Sequence, residues 1–441
     1  MNQESLKNNQ INANMRKVAL TALAGTSIEW YDFFLYGAAA ALIFPAAFFS
    51  ENIPPATALI LSLLTFAAGF IARPIGGIIF GHFGDKVGRK KTLISALMLM
   101  GISSTLIGLL PTYAMIGVAA PILLTTLRFA QGLAIGGQWG GAMLLVTESA
   151  PSDQRGYYGA FAQAGAPIGV ILANLALIIT SALVSEEFFN TWGWRIPFLA
   201  SAVLILISMY IQLNLEDTEA FKALANNKDS QSNENIRKSP VVEAIRKYPK
   251  RIFLAAGAFL SVQVTFYILI AFMLAYGVSS ANMARDDMLA AVLIASAIMV
   301  PIQFIFSSYS DRNGRKGIFM LGAVLTGIWA FAIFPLVDTG NFYLIVLAIT
   351  VGLIFLAMMY GPQAAFFTEL FSTEVRYSGA TLGYQFGAIV GGAFAPTIAV
   401  KLWTEFDIIW VSAYIALASL LTLISVMALT ETYQSDLNNT D

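Results

Sequence analysis

The segment Gly81–Lys91, GHFGDKVGRKK, is answered half a chain later by Ser307–Gly317, SSYSDRNGRKG. With Asp85 laid on Asp311, residues Gly88, Arg89 and Lys90 fall on Gly314, Arg315 and Lys316 at a constant offset of 226. Each copy is a charged turn between two long apolar runs. A turn repeated in this way predicts two homologous membrane bundles, an organisation far commoner in carriers than in membrane enzymes. The repeat runs deeper than the turn. Glu148 precedes Arg155 by seven positions, as Glu369 precedes Arg376, and the stretch starting at Gln163 matches the one starting at Gln385 at an offset of 222. Registers this close indicate duplication with small loop changes.

Composition agrees with a membrane protein. Of 441 residues, 57% are hydrophobic and only 12% charged, against roughly a quarter charged in soluble domains. A net charge of −1 gives no bulk field for nucleic acid. There is no cysteine and only His82, so disulfides, thiolate metal sites and histidine metal sites are not expected. No cofactor is implied. The polar start ends in Arg16-Lys17 with no cleavage signal behind a short apolar core, so the first helix is expected to stay in the membrane.

About 20 apolar residues cross the hydrocarbon core. Such runs fall near 20–45, 57–81, 92–111, 115–147, 157–184, 195–215, 252–277, 287–309, 318–336, 342–368, 378–401 and 407–430. The expected fold is an all-α membrane protein of twelve transmembrane helices in two pseudo-symmetric six-helix bundles. Residues 1–215 form the N-terminal bundle, 216–250 a cytoplasmic linker, and 251–441 the C-terminal bundle. Lys and Arg collect on the connections that include both repeated turns, which predicts cytoplasmic termini. Within the linker, SPVVEAIRKYPK reads either as a short amphipathic surface helix or as plain solvated tether.

Ionisable groups inside a span cost about 2.5–3.5 kcal/mol each and tend to mark function. The first half holds Glu29 and Asp32, three apart on one helical face, with Arg73 and Arg128 in spans two and four. The second half offers uncharged candidates: Gln263, Tyr267, Gln303, Tyr360, Gln363, Tyr384 and Gln385. Trp30, Tyr36 and Gln138 are further candidates to line a cavity beside the charges. A carboxylate that neutralises when desolvated and ionises when paired can carry a proton. An arginine offers a permanent fork to a carboxylate of protein or substrate. An Asp32–Arg128 pair that opens on protonation would therefore couple proton and anion movement. The alternative is that these groups form static ion pairs between helices. At the turns, Asp85, Arg89, Glu148 and Arg155, with Asp311, Arg315, Glu369 and Arg376, read as a cytoplasmic gate, or simply as topology-setting charge. No nucleophile, zinc or phosphate-loop motif is present, so no enzyme is expected.

At these residues the chain resembles the major facilitator superfamily. GHFGDKVGRKK and SSYSDRNGRKG look like its signature loops, and RFAQGLAIGG (128–137) like its span-four arginine motif. Within the superfamily it is similar to the metabolite:proton symporters, which include shikimate, α-ketoglutarate, citrate and proline/betaine permeases. That likeness rests on IEWYDFFLYG (28–37), ARPIGGIIFGHFGD (72–85), RFAQGLAIGGQWGGA (128–142), GWRIPF (193–198) and YGPQAAFFTELFSTEVRYSGATLGYQ (360–385). It departs from the group at Gln138, where an acid is frequent, and at EDTEAF (216–221), which lacks an expected proline.

The resemblance implies alternating access, with Asp32 and Arg128 as counterparts of the proton-coupling pair of related sugar porters. The reading is a monomeric, multi-pass carrier of the inner (plasma) membrane importing a small carboxylate with protons. Glu29 supports the coupling, and Arg128, Arg73, Gln138 and the aromatic and amide residues above contact substrate. Proton-coupled export of amphipathic compounds and import of a zwitterionic osmolyte such as proline or betaine remain the alternatives.

Overall fold

A run of apolar residues in lipid must satisfy its backbone internally, which a helix does within one segment. The computed structural model describes residues 3–87, 89–216, 240–372 and 376–433, leaving out some side chains among them, notably 81–90, 137–142 and 148–149. Twelve long helices result. In the first half they are α1 Gln3–Leu42, α2 Pro55–Val87, α3 Arg89–Leu109, α4 Ala119–Ser149, α5 Arg155–Leu183 and α6 Ile196–Glu216. In the second they are α7 Pro249–Ser279, α8 Arg285–Asn313, α9 Arg315–Val337, α10 Phe342–Glu369, α11 (Arg376–Gly387 continuing through Ala388–Ala393 to Ala395–Glu405) and α12 Ile409–Ala428.

Among the described residues ten of these are long and apolar enough to cross a membrane. The others are α1, diluted by Glu29, Asp32 and their polar neighbours, and α3, whose apolar part is only Ile94–Leu109. The expected spans thus appear in order, with two differences in form. Both α7 and α11 carry a turn of wider π-type winding, at Ile268–Phe272 and Ala388–Ala393. π turns cluster at functional sites, and periodicity alone does not reveal them. The repeated turn owes its glycine to backbone geometry. Gly314, between α8 and α9, has φ +95°, a region other residues avoid.

Pairing of helices brings the halves together along two seams. In one, α5 runs against α8 and α10; in the other, α2 meets α11. Inside the first half α2 and α4 press backbone to backbone, because a Cβ at Gly136 would collide with the carbonyl of Arg73. A single buried core passes through both halves. At the end opposite the repeated turns, Arg285 at the start of α8 clasps the first half. Its Nη2 donates to Ser181 Oγ (2.9 Å) and its Nη1 to Asn190 Oδ1 (3.2 Å). Its guanidinium lies over Phe189 (4.0 Å), and Ser181 Oγ donates onward to Asp286 Oδ2 (2.8 Å). The linker segment 217–239 lies outside the described residues; beyond it Pro240–Lys247 is helical, with Ala244 buried and Ile245, Arg246 and Lys247 exposed.

Candidate functional site

Toward the C-terminal end of α1 the sequence EWYDFFLY (29–36) puts a carboxylate among rings. Asp32 is 1% exposed, and neither of its oxygens has a hydrogen-bond partner among the described residues. The hydroxyls of Ser104 on α3 and Ser201 on α6 lie beside it, outside hydrogen-bond geometry, and Arg128 is within electrostatic reach. Asp32 and Arg128 therefore share a buried region without a direct ion pair in this conformation. Glu29, one turn away, is half-buried and keeps interactions of its own.

Arg128 is fully buried and held by a different set of groups. Its Nη1 donates to Gln131 Oε1 (3.0 Å), and Gln131 Nε2 donates to Ser104 Oγ (2.7 Å). Its guanidinium lies over Phe33, Tyr36 and Phe66 at 4.1, 4.3 and 4.7 Å. Tyr36 is fixed in turn by a 2.6 Å hydrogen bond between its hydroxyl and Thr65 Oγ1. Cation–π contacts of this kind contribute about 0.5–2 kcal/mol each. Arg128 Nε and Nη2 nonetheless have no hydrogen-bond acceptor among the described residues. Arg73 on α2 is the second buried cation, over Phe33 (4.4 Å), Phe70 (4.5 Å) and Trp30 (5.3 Å), again with Nε and Nη2 unaccepted. Two buried guanidiniums with spare donors form a positive region that an anion would complete.

The second half faces this region with polar, uncharged groups. Tyr267 on α7, beside Arg73, packs on Phe70 at 5.1 Å. Gln263, Tyr267, Tyr360 and Tyr384 line a small central cavity with Trp30 and Phe34 of the first half. Its free space is about 10 Å³, room for roughly one water. Gln363 is buried with both amide atoms unpartnered, and Gln385 with its Oε1 unpartnered. Gln303 on α8 instead donates to Ala160 O (3.2 Å), and Gln163 to Tyr360 O (3.3 Å), so these two amides stitch the α5 seam. The Gln138 side chain lies outside the described residues.

At the repeated turn of the second half the charges form one connected network. Arg315 Nη1 donates to Asp311 Oδ1 (2.6 Å) and its Nη2 to Glu369 Oε1 (3.1 Å). The network reaches the first half twice. Asp311 accepts from the backbone N–H of Gly156 and Tyr157 (both 2.8 Å), so it caps the start of α5 in the other bundle. Arg155 approaches Glu369 at 3.9 Å. Thr147 and Thr368 hydroxyls meet across the same seam at 3.3 Å. Arg376 donates its Nε to the carbonyls of Thr368 and Phe371. The side chains of Asp85, Arg89 and Glu148 lie outside the described residues.

Several participants escaped sequence reasoning. Gln131 stands three positions from Arg128, a spacing that points to the shared face. Phe33, Phe66 and Phe70 carry no such signal, since an aromatic in an apolar helix reads as core. After α12, Glu431 accepts from the N–H of Arg315 and Lys316 (both 3.0 Å), and Thr432 Oγ1 donates to Glu369 Oε2 (2.8 Å). Only the fold brings that terminal segment to this charged network.

Two sets of six long helices, buried charges beside their boundary, an ionic network at one end of the seam and the Arg285 hydrogen bonds at the other are the architecture of a membrane carrier of the secondary-transporter kind. The chain belongs to the Major Facilitator Superfamily, matching the family over residues 33–381. It is 40% identical to the inner membrane metabolite transport protein YhjE of Escherichia coli, covering 96% of this chain and 95% of that one. It is 37% identical to the shikimate transporter of Escherichia coli (91% of each chain) and 32% identical to the proline/betaine transporter of Salmonella typhimurium (95% and 84%). Its fold matches the Escherichia coli xylose transporter XylE in a partially occluded inward open conformation. That match has a TM-score of 0.69 and 17% identity, over 95% of this chain and 98% of that one. The protein is a multi-pass membrane transporter of this superfamily, and not an enzyme.

Proposed function

We propose that this transporter is a proton symporter that takes up a small organic carboxylate by alternating access. The observation that carries the reading is Asp32: a buried carboxylate with no hydrogen-bond partner among the described residues, close to an arginine that is held by Gln131 and three rings instead. A carboxylate in such a place is easily kept neutral by a proton, and easily ionised once water or a guanidinium reaches it. Arg128 is then the group whose pairing with Asp32 reports the proton, with Glu29 in support. Arg73 and Arg128 together supply the positive charge that draws the anion. Gln263, Tyr267, Tyr360, Gln363, Tyr384 and Gln385 complete recognition from the second half. The halves, 1–215 and 251–441, rock about the seam, while Arg155, Asp311, Arg315, Glu369 and Arg376, with Asp85, Arg89 and Glu148, hold the cytoplasmic side shut.

The test is transport in proteoliposomes with an internal pH dye, using labelled shikimate, benzoate, 2-oxoglutarate, citrate, proline and betaine. Wild-type protein should acidify the lumen when a carboxylate enters. Asp32→Asn should lose concentrative uptake while keeping substrate exchange. An Asp32→Asn protein that still concentrates substrate would remove Asp32 as the coupling group. Proton-linked uptake confined to proline or betaine would support the osmolyte alternative, which the proline/betaine relatives keep open.

A further inference from the structure

The two buried arginines are surrounded differently, and the difference separates their work. Every printed contact of Arg128 is with a first-half group: it donates to Gln131 and lies over Phe33, Tyr36 and Phe66, while Asp32 and the second half's Tyr267 are within electrostatic reach. Neither arginine is itself a lining residue of the cavity. Arg73 is one contact removed from the cavity. It lies over Trp30, a cavity wall, and beside the hydroxyl of Tyr267, another wall. Tyr360 and Tyr384, also lining residues, are within its electrostatic reach.

The walls have a definite shape. Trp30 and Phe34 of the first half stack at 5.2 Å with planes 13° apart. Phe266 and Tyr360 of the second half stack at 6.5 Å and 19°. Phe34 meets Phe266 edge to face at 5.6 Å across the boundary between the halves. Two stacked ring pairs thus face one cavity, with Gln263 the one amide among its lining residues and no carboxylate or cation there. Positive charge stands behind the Trp30 and Tyr267 walls, with Arg73 against both and Arg128 within electrostatic reach of Tyr267.

Such a slot discriminates by chemistry. A flat or cyclic ring entering between the pairs gains offset-stacked and edge contacts. A second carboxylate would be stripped of water against ring faces with nothing to pair it. A quaternary ammonium gains from ring faces, but here it approaches two guanidiniums with Asp32 as the one fully buried carboxylate beside them. We infer that Arg73, and not Arg128, anchors the substrate, and that the slot between Trp30–Phe34 and Phe266–Tyr360 selects a monocarboxylate borne on a ring. The inference rests on the reading of the protein as a carboxylate carrier. Because the free space is about 10 Å³, smaller than any ring, the two pairs must part to admit substrate and close on it afterwards.

Equilibrium binding to purified protein in nanodiscs tests this, with benzoate, cyclohexanecarboxylate, hexanoate, succinate and glycine betaine as probes. The ring acids should bind about tenfold tighter than hexanoate or succinate. Arg73→Gln should weaken ring-acid binding at least about tenfold more than Arg128→Gln does. Phe266→Ala should narrow the gap between ring and linear acids. Arg73→Lys, which keeps the charge without the fork, guards against a folding artefact and should fall between wild type and Arg73→Gln. A greater loss in Arg128→Gln than in Arg73→Gln would overturn the assignment of the anchor, and equal affinity for hexanoate or succinate would overturn the slot. Those two results leave carboxylate transport standing. Binding of betaine with no carboxylate bound would instead defeat the carboxylate reading itself.

Discussion

A methyl group at Gly69 would stand 2.7 Å from Arg128 Nε, so this glycine is the space in which the guanidinium lies. Overpacking of a filled site costs about 1–3 kcal/mol, and Arg128 has rings on its other sides. Gly69→Ala is therefore expected to reduce transport about tenfold or more at near-normal expression, measured as initial uptake against membrane protein level. Gln131→Leu removes the one acceptor that orients Arg128 and should lower transport as well, without changing the number of charges. At this scale the sequence told much about the charges and little about what holds them. Asp32, Arg73 and Arg128 stand out because ions are rare in spans. Phe33, Phe66 and Phe70 look like any apolar core residue, and their role depends on which helix crosses which. The direct Asp32–Arg128 pair was the natural expectation for opposite buried charges. In this conformation Gln131 and the rings take the arginine instead.

Helix boundaries were legible because apolar runs and charged turns alternate so regularly, and the Asp85/Asp311 repeat fixed the register of the halves. The π turns in α7 and α11 were not, since hydropathy is blind to one extra residue in a turn. The two turns pack closely at Tyr267: a Cβ at Gly392 would stand 2.9 Å from the ring of Tyr267 and 3.0 Å from that of Phe70. The clasp at the start of α8 was also missed, because Arg285 and Ser181 are more than a hundred positions apart. It gives a prediction for this element. The chain has no cysteine, so a single Gln263→Cys provides a clean reporter in the cavity wall. Adding Arg285→Ala should speed its modification by a membrane-impermeant thiol reagent applied from the clasp side. An unchanged rate would mean that the clasp does not restrain opening at that end.

For the whole molecule, the proposed alternation of open faces turns on the seam between the halves. Glu369 gathers Arg315, Arg155 and Thr432 into one site, and Asp311 ties α8 to the start of α5. Breaking a buried ion pair by removing one partner costs about 3–5 kcal/mol, so Glu369→Gln should populate forms open at this end. A Thr147→Cys/Thr368→Cys pair, placed where the hydroxyls lie 3.3 Å apart, should cross-link under mild oxidation. Transport should stop when the bond forms and return on reduction. Persistence of transport in the fully cross-linked protein would show that this seam does not open during the cycle.

The rings that hold Arg73 and Arg128 all belong to α1 and α2. Both guanidiniums are thus rigid cargo of the first half and must travel with it through the electric field of the membrane. That field is worth about 2.3 kcal/mol per elementary charge per 100 mV. The carrier should therefore displace charge when it reorients, and a voltage step applied to substrate-free protein on a solid-supported membrane should draw a transient current. Replacing Arg73 by Gln should shrink the transient. Voltage then becomes a handle on a conformational step that no substrate has yet entered.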